Sequence, residues 1–172
     1  HAANSIATVD FHRAHLNLVR PGLVIYGMYP KHTFPKIIRL KPALELKTRI
    51  VFIKETPPGR SISYGRTFIT QKHTRIATLP IGYADGYGRK LSNKAEVLIR
   101  GRRARVVGKI TMDQTMVDVG HINGVRMGDE VVLIGKQGGE EIRAENLARM
   151  AESIAYEVVC GISNRVPRVY KY

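Results

Sequence analysis

The sequence predicts a mainly β fold, a small barrel or sandwich. Three observations carry this. Residues 43–52 alternate apolar and polar side chains, so that Leu44, Leu46, Thr48, Ile50 and Phe52 fall on one side. Short apolar runs punctuated by glycine, proline and aspartate recur along the rest of the chain. Helical spacing is visible in one place only, at Leu147, Met150, Ala151 and Ile154, which predicts a helix over about residues 144–155.

Taken in order, residues 1–8 are small and polar, and residues 23–26 form an apolar run between Pro21-Gly22 and Gly27 that suits a buried strand. Arg20-Pro21-Gly22-Leu23 is a turn able to present backbone N–H groups to a phosphate, or a plain junction into that strand. Residues 29–40 hold Pro30, Pro35 and several basic side chains, and read as a linker or domain boundary. Residues 43–52 form a long half-buried strand; further strands are expected over residues 62–70 and 74–79 after the turn Pro57-Pro58-Gly59. Gly82-Tyr83-Ala84-Asp85-Gly86-Tyr87-Gly88 is a glycine-rich loop without the strand–loop–helix context of a nucleotide fingerprint. Residues 96–99 and 104–110 pair as a hairpin about Gly101, and residues 116–119 and 130–134 add two strands, with Gly128-Asp129 as a turn.

The 172 residues carry 28 Lys and Arg against 14 Asp and Glu, a net charge of +14. Such a balance raises nucleic acid or an acidic surface as a partner. The basic side chains are dispersed, however. The densest cluster, Arg100-Gly101-Arg102-Arg103-Ala104-Arg105, has no interleaved aromatic residues, and tryptophan is absent, so a solvated basic face is the better reading. Cys160 is the single cysteine, which excludes an intrachain disulfide; it is expected as a buried thiol. No Cys/His set for a metal is present, no apolar run is long enough for a membrane, and no signal peptide is visible, so a cytoplasmic protein is expected. The opening His1-Ala2-Ala3-Asn4-Ser5, without an initiator methionine, reads as the interior of a longer chain.

The stretch with most chemical content is Ser61-Ile62-Ser63-Tyr64-Gly65-Arg66-Thr67-Phe68. A tyrosine is a poor base at neutral pH, its ordinary pKa being ~10, but a nearby cation or charge-assisted hydrogen bond equips it for proton transfer. On these residues alone Tyr64 reads first as ordinary packing where a strand enters a bend.

The motifs together resemble the alanine racemases, pyridoxal 5′-phosphate enzymes. The resemblance runs through His1-Ala2-Ala3-Asn4-Ser5, Val19-Arg20-Pro21-Gly22-Leu23 with Tyr26-Gly27, Ser63-Tyr64-Gly65, Gly82-Tyr83-Ala84-Asp85-Gly86, Gly108 through Met112-Asp113-Gln114, Tyr156-Glu157, and Arg165-Val166-Pro167-Arg168, in the family's order. It implies that residues 1–39 are the end of an N-terminal (β/α)8 barrel and residues 40–172 the C-terminal β domain. The implied activity is the interconversion of L- and D-alanine, which supplies D-alanine for peptidoglycan. A lysine serves one face of the substrate Cα and a tyrosine of the other subunit of a homodimer serves the opposite face.

Residue by residue, the resemblance makes Tyr64 the catalytic tyrosine for L-alanine. Met112, through its backbone N–H, and Tyr83 become substrate contacts. Ser5, the backbone at Gly22 and Leu23, and the Tyr156 hydroxyl become phosphate contacts. Arg20 faces the pyridine nitrogen, where a guanidinium can only donate, and His1 supports it. Ile154 and Tyr156 narrow the approach, which Arg89, Lys109 and Asp113 line. Lys109 stands where the family commonly has arginine, and Thr111 where it often has cysteine. Arg165 and Arg168 receive no role beyond structural ion pairs. The lysine that anchors the cofactor lies outside this sequence, so the chain alone is expected to be inactive. A racemase for another small amino acid such as serine, and a non-catalytic basic β-barrel that binds nucleic acid, are the alternatives.

Overall fold

The computed structural model describes residues 1–30 and 38–171. The sequence boundary over residues 29–40 therefore falls largely outside the described residues. Seven strands follow one another in an antiparallel sheet in the order β1-β9-β6-β7-β8-β5-β2, with β10 pairing on β9 and a separate hairpin of β3 and β4. Their ranges are β1 Leu46–Arg49, β2 Phe52–Thr56, β3 Ser61–Ile62, β4 Phe68–Ile69, β5 Thr74–Leu79, β6 Glu96–Ile99, β7 Arg102–Val106, β8 Thr115–Asp118, β9 Glu130–Gln137 and β10 Glu140–Ile142. Three short helices, α1 Ser5–Asp10, α2 Ala144–Met150 and α3 Ala155–Cys160, flank them. The mainly β reading holds.

The long strand expected over residues 43–52 is two strands, and the division builds the sheet. β1 pairs with β9, β2 with β5, so one continuous segment supplies both ends of the strand order. The switch occurs between neighbours: the Ile50 N–H donates to the Asp129 carbonyl at 3.0 Å and the Val51 N–H to the Thr78 carbonyl at 3.0 Å. The alternation slips there. Leu46 and Ile50 are buried, but Phe52 is 52% exposed and Ile53 turns toward the core instead. Because side chains alternate with period two, a slip of one residue exchanges the faces.

β6 and β9 are the centre of the core. Val97, Leu98 and Ile99 are completely buried, as are Val131, Val132 and Leu133, so both faces of these strands are covered. Ile142, Ala144, Leu147 and Ala155 belong to the same apolar cluster, as do Leu23 and Met28 from the first thirty residues. The hairpin of β6 and β7 turns at Arg100 and Gly101, both with positive φ (52° and 73°), the geometry that suits the twist of a two-residue loop.

Other expectations are corrected. Residues 23–26 form a succession of turns rather than a strand: the N–H groups of Ile25, Tyr26 and Gly27 donate to the carbonyls of Gly22, Leu23 and Val24. Only Leu23 of that run reaches the core; Ile25 is 67% exposed. The single helix expected over residues 144–155 is broken at Glu152, whose φ is 55°. The Ser153 N–H reaches back to the Ala148 carbonyl and the Glu152 N–H to that of Arg149, a left-handed cap occupied by glutamate where glycine is usual. Helix α1 was not expected; Asn4 caps it, its Oδ1 accepting from the N–H groups of Ile6 and Ala7. Cys160 is exposed, not buried, at the end of α3. Arg103 in the basic cluster is held by Glu140 at 2.6 Å and Glu96 at 3.1 Å, which leaves less of that face open to an anionic partner. Among the described residues no helix is long and apolar enough to cross a membrane.

Tyr87 is 1% exposed and its hydroxyl has no hydrogen-bond partner among the described residues. Burial alone pushes its pKa above the usual tyrosine value. An unpaired buried hydroxyl costs about 1–3 kcal/mol, so Tyr87→Phe is expected to hold or raise the melting temperature. Because the folded-state pKa lies above the unfolded one, stability falls as pH rises past about 10; the variant should flatten that alkaline fall in thermal melts between about pH 8 and 11.

Candidate active site

The residues expected as one strand over 62–70 form the β3–β4 hairpin, with Ser61 opposite Ile69 and Ile62 opposite Phe68. Pairing stops where Ser63 takes φ 63° and ψ −175°, a region nearly restricted to glycine, followed by Gly65 at 71° and Arg66 at 51°. Such backbone costs about 1–3 kcal/mol and persists only where surrounding contacts impose it. Here the Ser63 hydroxyl donates to the Lys109 carbonyl at 2.6 Å. The base of the hairpin is tied by Thr70, whose Oγ1 donates to the Pro57 carbonyl and accepts from the Arg60 N–H. The result places Tyr64 at the tip with 73% of its surface exposed, not packed as the octet alone implied.

Two further turns form the wall beside it. The glycine-rich loop folds into a helical turn over Tyr83–Asp85, and it lies against residues 111–114: the Tyr83 N–H donates to the Thr111 carbonyl at 3.0 Å and the Ala84 N–H to that of Met112 at 3.1 Å. A Cβ at position 82 would stand 2.2 Å from the Thr111 oxygen, so only glycine permits this approach. Thr111 closes its own turn, exchanging hydrogen bonds with the backbone of Gln114 through its hydroxyl. Asp85 is 7% exposed; Oδ2 accepts the Gly82 N–H at 2.9 Å and Oδ1 faces Arg165 at 3.3 Å. Arg165 also grips Asp113 at 2.6 Å, so one guanidinium joins the two turns. Asp113 first, then Asp85, raises the Arg165 pKa.

Tyr64, Tyr83, Arg89, Met112 and Asp113 line a single open depression together with Thr111. Tyr64, Tyr83, Met112 and Asp113, from three separate motifs, thus meet in space with Arg89. Met112 is 52% exposed, so it is not a core methionine.

A second group assembles elsewhere. Ser5 is buried, and its Oγ accepts the Gly22 N–H at 2.8 Å; the Arg20 N–H donates to the Ala3 carbonyl at 2.8 Å. These bonds lay the 20–22 turn along the start of α1, with Leu23 buried beneath. Ile154 is the N-cap of α3 and Tyr156 its second residue, 59% and 38% exposed. None of His1, Ser5, Arg20, Gly22, Leu23, Lys109, Ile154 or Tyr156 lines the Tyr64 depression. The Lys109 carbonyl accepts from the Ser63 hydroxyl, next to Tyr64. Arg168, expected in an ion pair, instead donates to the carbonyls of Ile162, Ser163 and Val166. Asp85 carried no sequence signal beyond its place in the glycine-rich loop, and Asn93, which bonds Thr67 and Gly108, carried none.

The alanine racemase C-terminal domain family matches residues 43–170. The chain belongs to the alanine racemase family. It is 55% identical over its whole length to alanine racemase 2 of Caldanaerobacter subterraneus subsp. tengcongensis, and 55% identical over 171 residues to the alanine racemase of Halothermothrix orenii. It covers 44% and 45% of those proteins, so it spans less than half the length of the curated relatives it matches. Among solved structures it is similar to the Bacillus anthracis alanine racemase with bound L-Ala-P, with a TM-score of 0.93 at 41% identity, covering 99% of this chain and 44% of that one. The alanine racemase from E. faecalis gives 0.93 at 37% identity, covering 98% of this chain and 45% of that one.

The close approach at Gly82 makes a sharp test. Gly82→Ala is expected to lower stability by about 1–3 kcal/mol through overpacking, while Gly88→Ala, with nothing within 4 Å of the added carbon, should change it little. Urea denaturation midpoints of the two variants check this.

Proposed function

We propose that this chain is the C-terminal part of a pyridoxal 5′-phosphate-dependent alanine racemase, with residues 1–39 closing a (β/α)8 barrel and residues 40–172 forming the β domain. The observation that carries the reading is Tyr64: an exposed phenol on a strained, braced hairpin tip, facing the same depression as Tyr83 and Met112. Strain held by surrounding contacts is the usual signature of a side chain kept in place for a task.

The Ser5 group fits the cofactor. Ser5 accepts from Gly22 and so keeps its own hydroxyl proton to donate outward, beside the Arg20 turn. Ser5, the backbone at Gly22 and Leu23, and the Tyr156 hydroxyl would hold the phosphate, and Arg20 would face the ring nitrogen as a permanent donor. When bound, the cofactor supplies the electron sink that makes the substrate Cα–H acidic. This chain's own residues bind, orient and move a proton. The Met112 N–H meets the substrate carboxylate, Tyr83 lies on the substrate side, and the Tyr64 oxygen takes or returns the proton at Cα on the L-alanine face. Tyr156 and Ile154 narrow the approach so that only a small side chain passes, with Arg89, Lys109 and Asp113 along the way in.

Tyr64 and the Ser5 group do not share a depression within one chain. A head-to-tail homodimer answers this, with Tyr64 of one protomer reaching the cofactor held by its partner. Exposure of Tyr64, and of Ile25 and Tyr26 beside the Ser5 group, suits surfaces that become covered in such an assembly.

Tyr64→Phe in the full-length enzyme tests the reading. In D2O, Cα–H exchange from L-alanine is expected to fall by about 10²-fold or more, the usual contribution of a positioned acid–base group, with exchange from D-alanine retained to a larger extent. Undiminished exchange from both enantiomers would show that Tyr64 is scaffold. The 172-residue chain by itself is expected to show no racemisation.

A further inference from the structure

Resting on that reading of Tyr64, a second question is what keeps the hairpin tip in place, since the turn from Ser63 to Arg66 has little internal support. Ser63 is held from one side by the Lys109 carbonyl. On the other side stands Asn93, a residue distant in sequence from both. Its Nδ2 donates to Thr67 Oγ1 at 3.1 Å, and its Oδ1 accepts the Gly108 N–H at 2.6 Å. Ser92 repeats the second contact, its Oγ accepting the Ile110 N–H at 2.9 Å and donating to the Arg89 carbonyl at 2.6 Å.

These contacts form a closed circuit. Ser63 bonds Lys109, Lys109 follows Gly108, Gly108 bonds Asn93, and Asn93 bonds Thr67, which lies four residues beyond Ser63. Tyr64 projects from inside that loop of bonds. The segments are in van der Waals contact as well: a Cβ on Gly108 would stand 2.5 Å from the Ile62 carbonyl oxygen. Asn93 is suited to the joint because an amide has both a donor and an acceptor, and both are used. It also holds φ at 60°, a conformation asparagine tolerates better than most residues.

We propose that Asn93 is a positioning residue for Tyr64, fixing the hairpin tip by bridging Thr67 to the Gly108 backbone. A displacement of about 1 Å in a reacting group can cost roughly 10²-fold in rate, so this joint bears on the step that Tyr64 performs and not on the opposite face of the substrate.

The test uses the full-length enzyme with Asn93→Gly, which removes both bonds while suiting the positive φ. Thr67→Val, which removes only the hydroxyl in an isosteric side chain, is the second variant should the first fail to fold. Asn93→Asp keeps two acceptors for Gly108 and Thr67 and should restore function. Cα–H exchange in D2O is expected to drop about tenfold or more from L-alanine and less than about twofold from D-alanine; on a Tyr64→Phe background the same substitution should add little, as required of a residue acting only through Tyr64. By mass spectrometry, amide hydrogen exchange should accelerate over residues 61–70 and remain unchanged in β6 and β9. Equal losses from both enantiomers, full additivity with Tyr64→Phe, or unchanged amide exchange over residues 61–70 would overturn the proposal. If Tyr64→Phe itself leaves L-alanine exchange intact, the assignment of Tyr64 fails, and the amide exchange alone decides whether Asn93 holds the hairpin.

Discussion

Closure of the sheet at two adjacent residues is the constraint on which the rest depends. Ile50 bonds toward β9 and Val51 toward β5, so a single segment joins both ends of the strand order. With its first and last strands supplied by one continuous piece of chain, the sheet has to curl, and its loops come to fixed places around the core of β6 and β9. The hairpin of β3 and β4 leaves from the end of β2, the Gly82 turn follows β5, and the 111–114 turn precedes β8, next to β5 in the sheet. Adjacency of β5 and β8 is therefore what brings Tyr83 to Thr111.

Around that frame the site is stabilised mainly by hydrogen bonds to backbone groups, not by a cluster of charges. Ser63, Ser92 and Asn93 each satisfy a main-chain carbonyl or N–H in a neighbouring turn, and Asp85 satisfies one in its own. The first three contacts fix position without adding charge beside Tyr64. The ion pair of Arg165 with Asp113 is half exposed on both sides and contributes little to stability by itself, while the Asp85 end is nearly buried. Its value lies in geometry: it keeps the Tyr83 and Met112 turns in step. The strained backbone at Ser63 is held by the bond from its hydroxyl to the Lys109 carbonyl.

Family membership and partial coverage of the relatives fit the distribution of exposed apolar side chains. Phe11, Leu16, Ile25 and Tyr26 in the first thirty residues are mostly exposed, whereas the core of β strands is completed within the chain itself. The central strands β6 and β9 are buried on both faces, while Phe52, Tyr64, Met112 and Met127 are exposed around them.

Much of this was legible in the sequence by itself. Glycine, proline and aspartate placed the turns, apolar runs marked β5, β6 and β9, and the ordered motifs carried the family and picked out Tyr64, Tyr83, Met112 and Asp113, with Arg89 added by the resemblance. Local pattern failed where tertiary contacts outweighed it. The residue-by-residue alternation over 43–52 concealed the face exchange at Ile50–Val51, because nothing local marks which strand a backbone N–H will find. The helix broke at Glu152, a residue without glycine's freedom, because the cap bonds to Ala148 and Arg149 hold it there. Only the tertiary structure decided which chosen residues meet. Ser63 and Lys109 are 46 positions apart and Arg165 and Asp113 are 52 apart. Their bonds exist because sheet closure brings those loops together, so composition and spacing could name the chemistry but not its assembly.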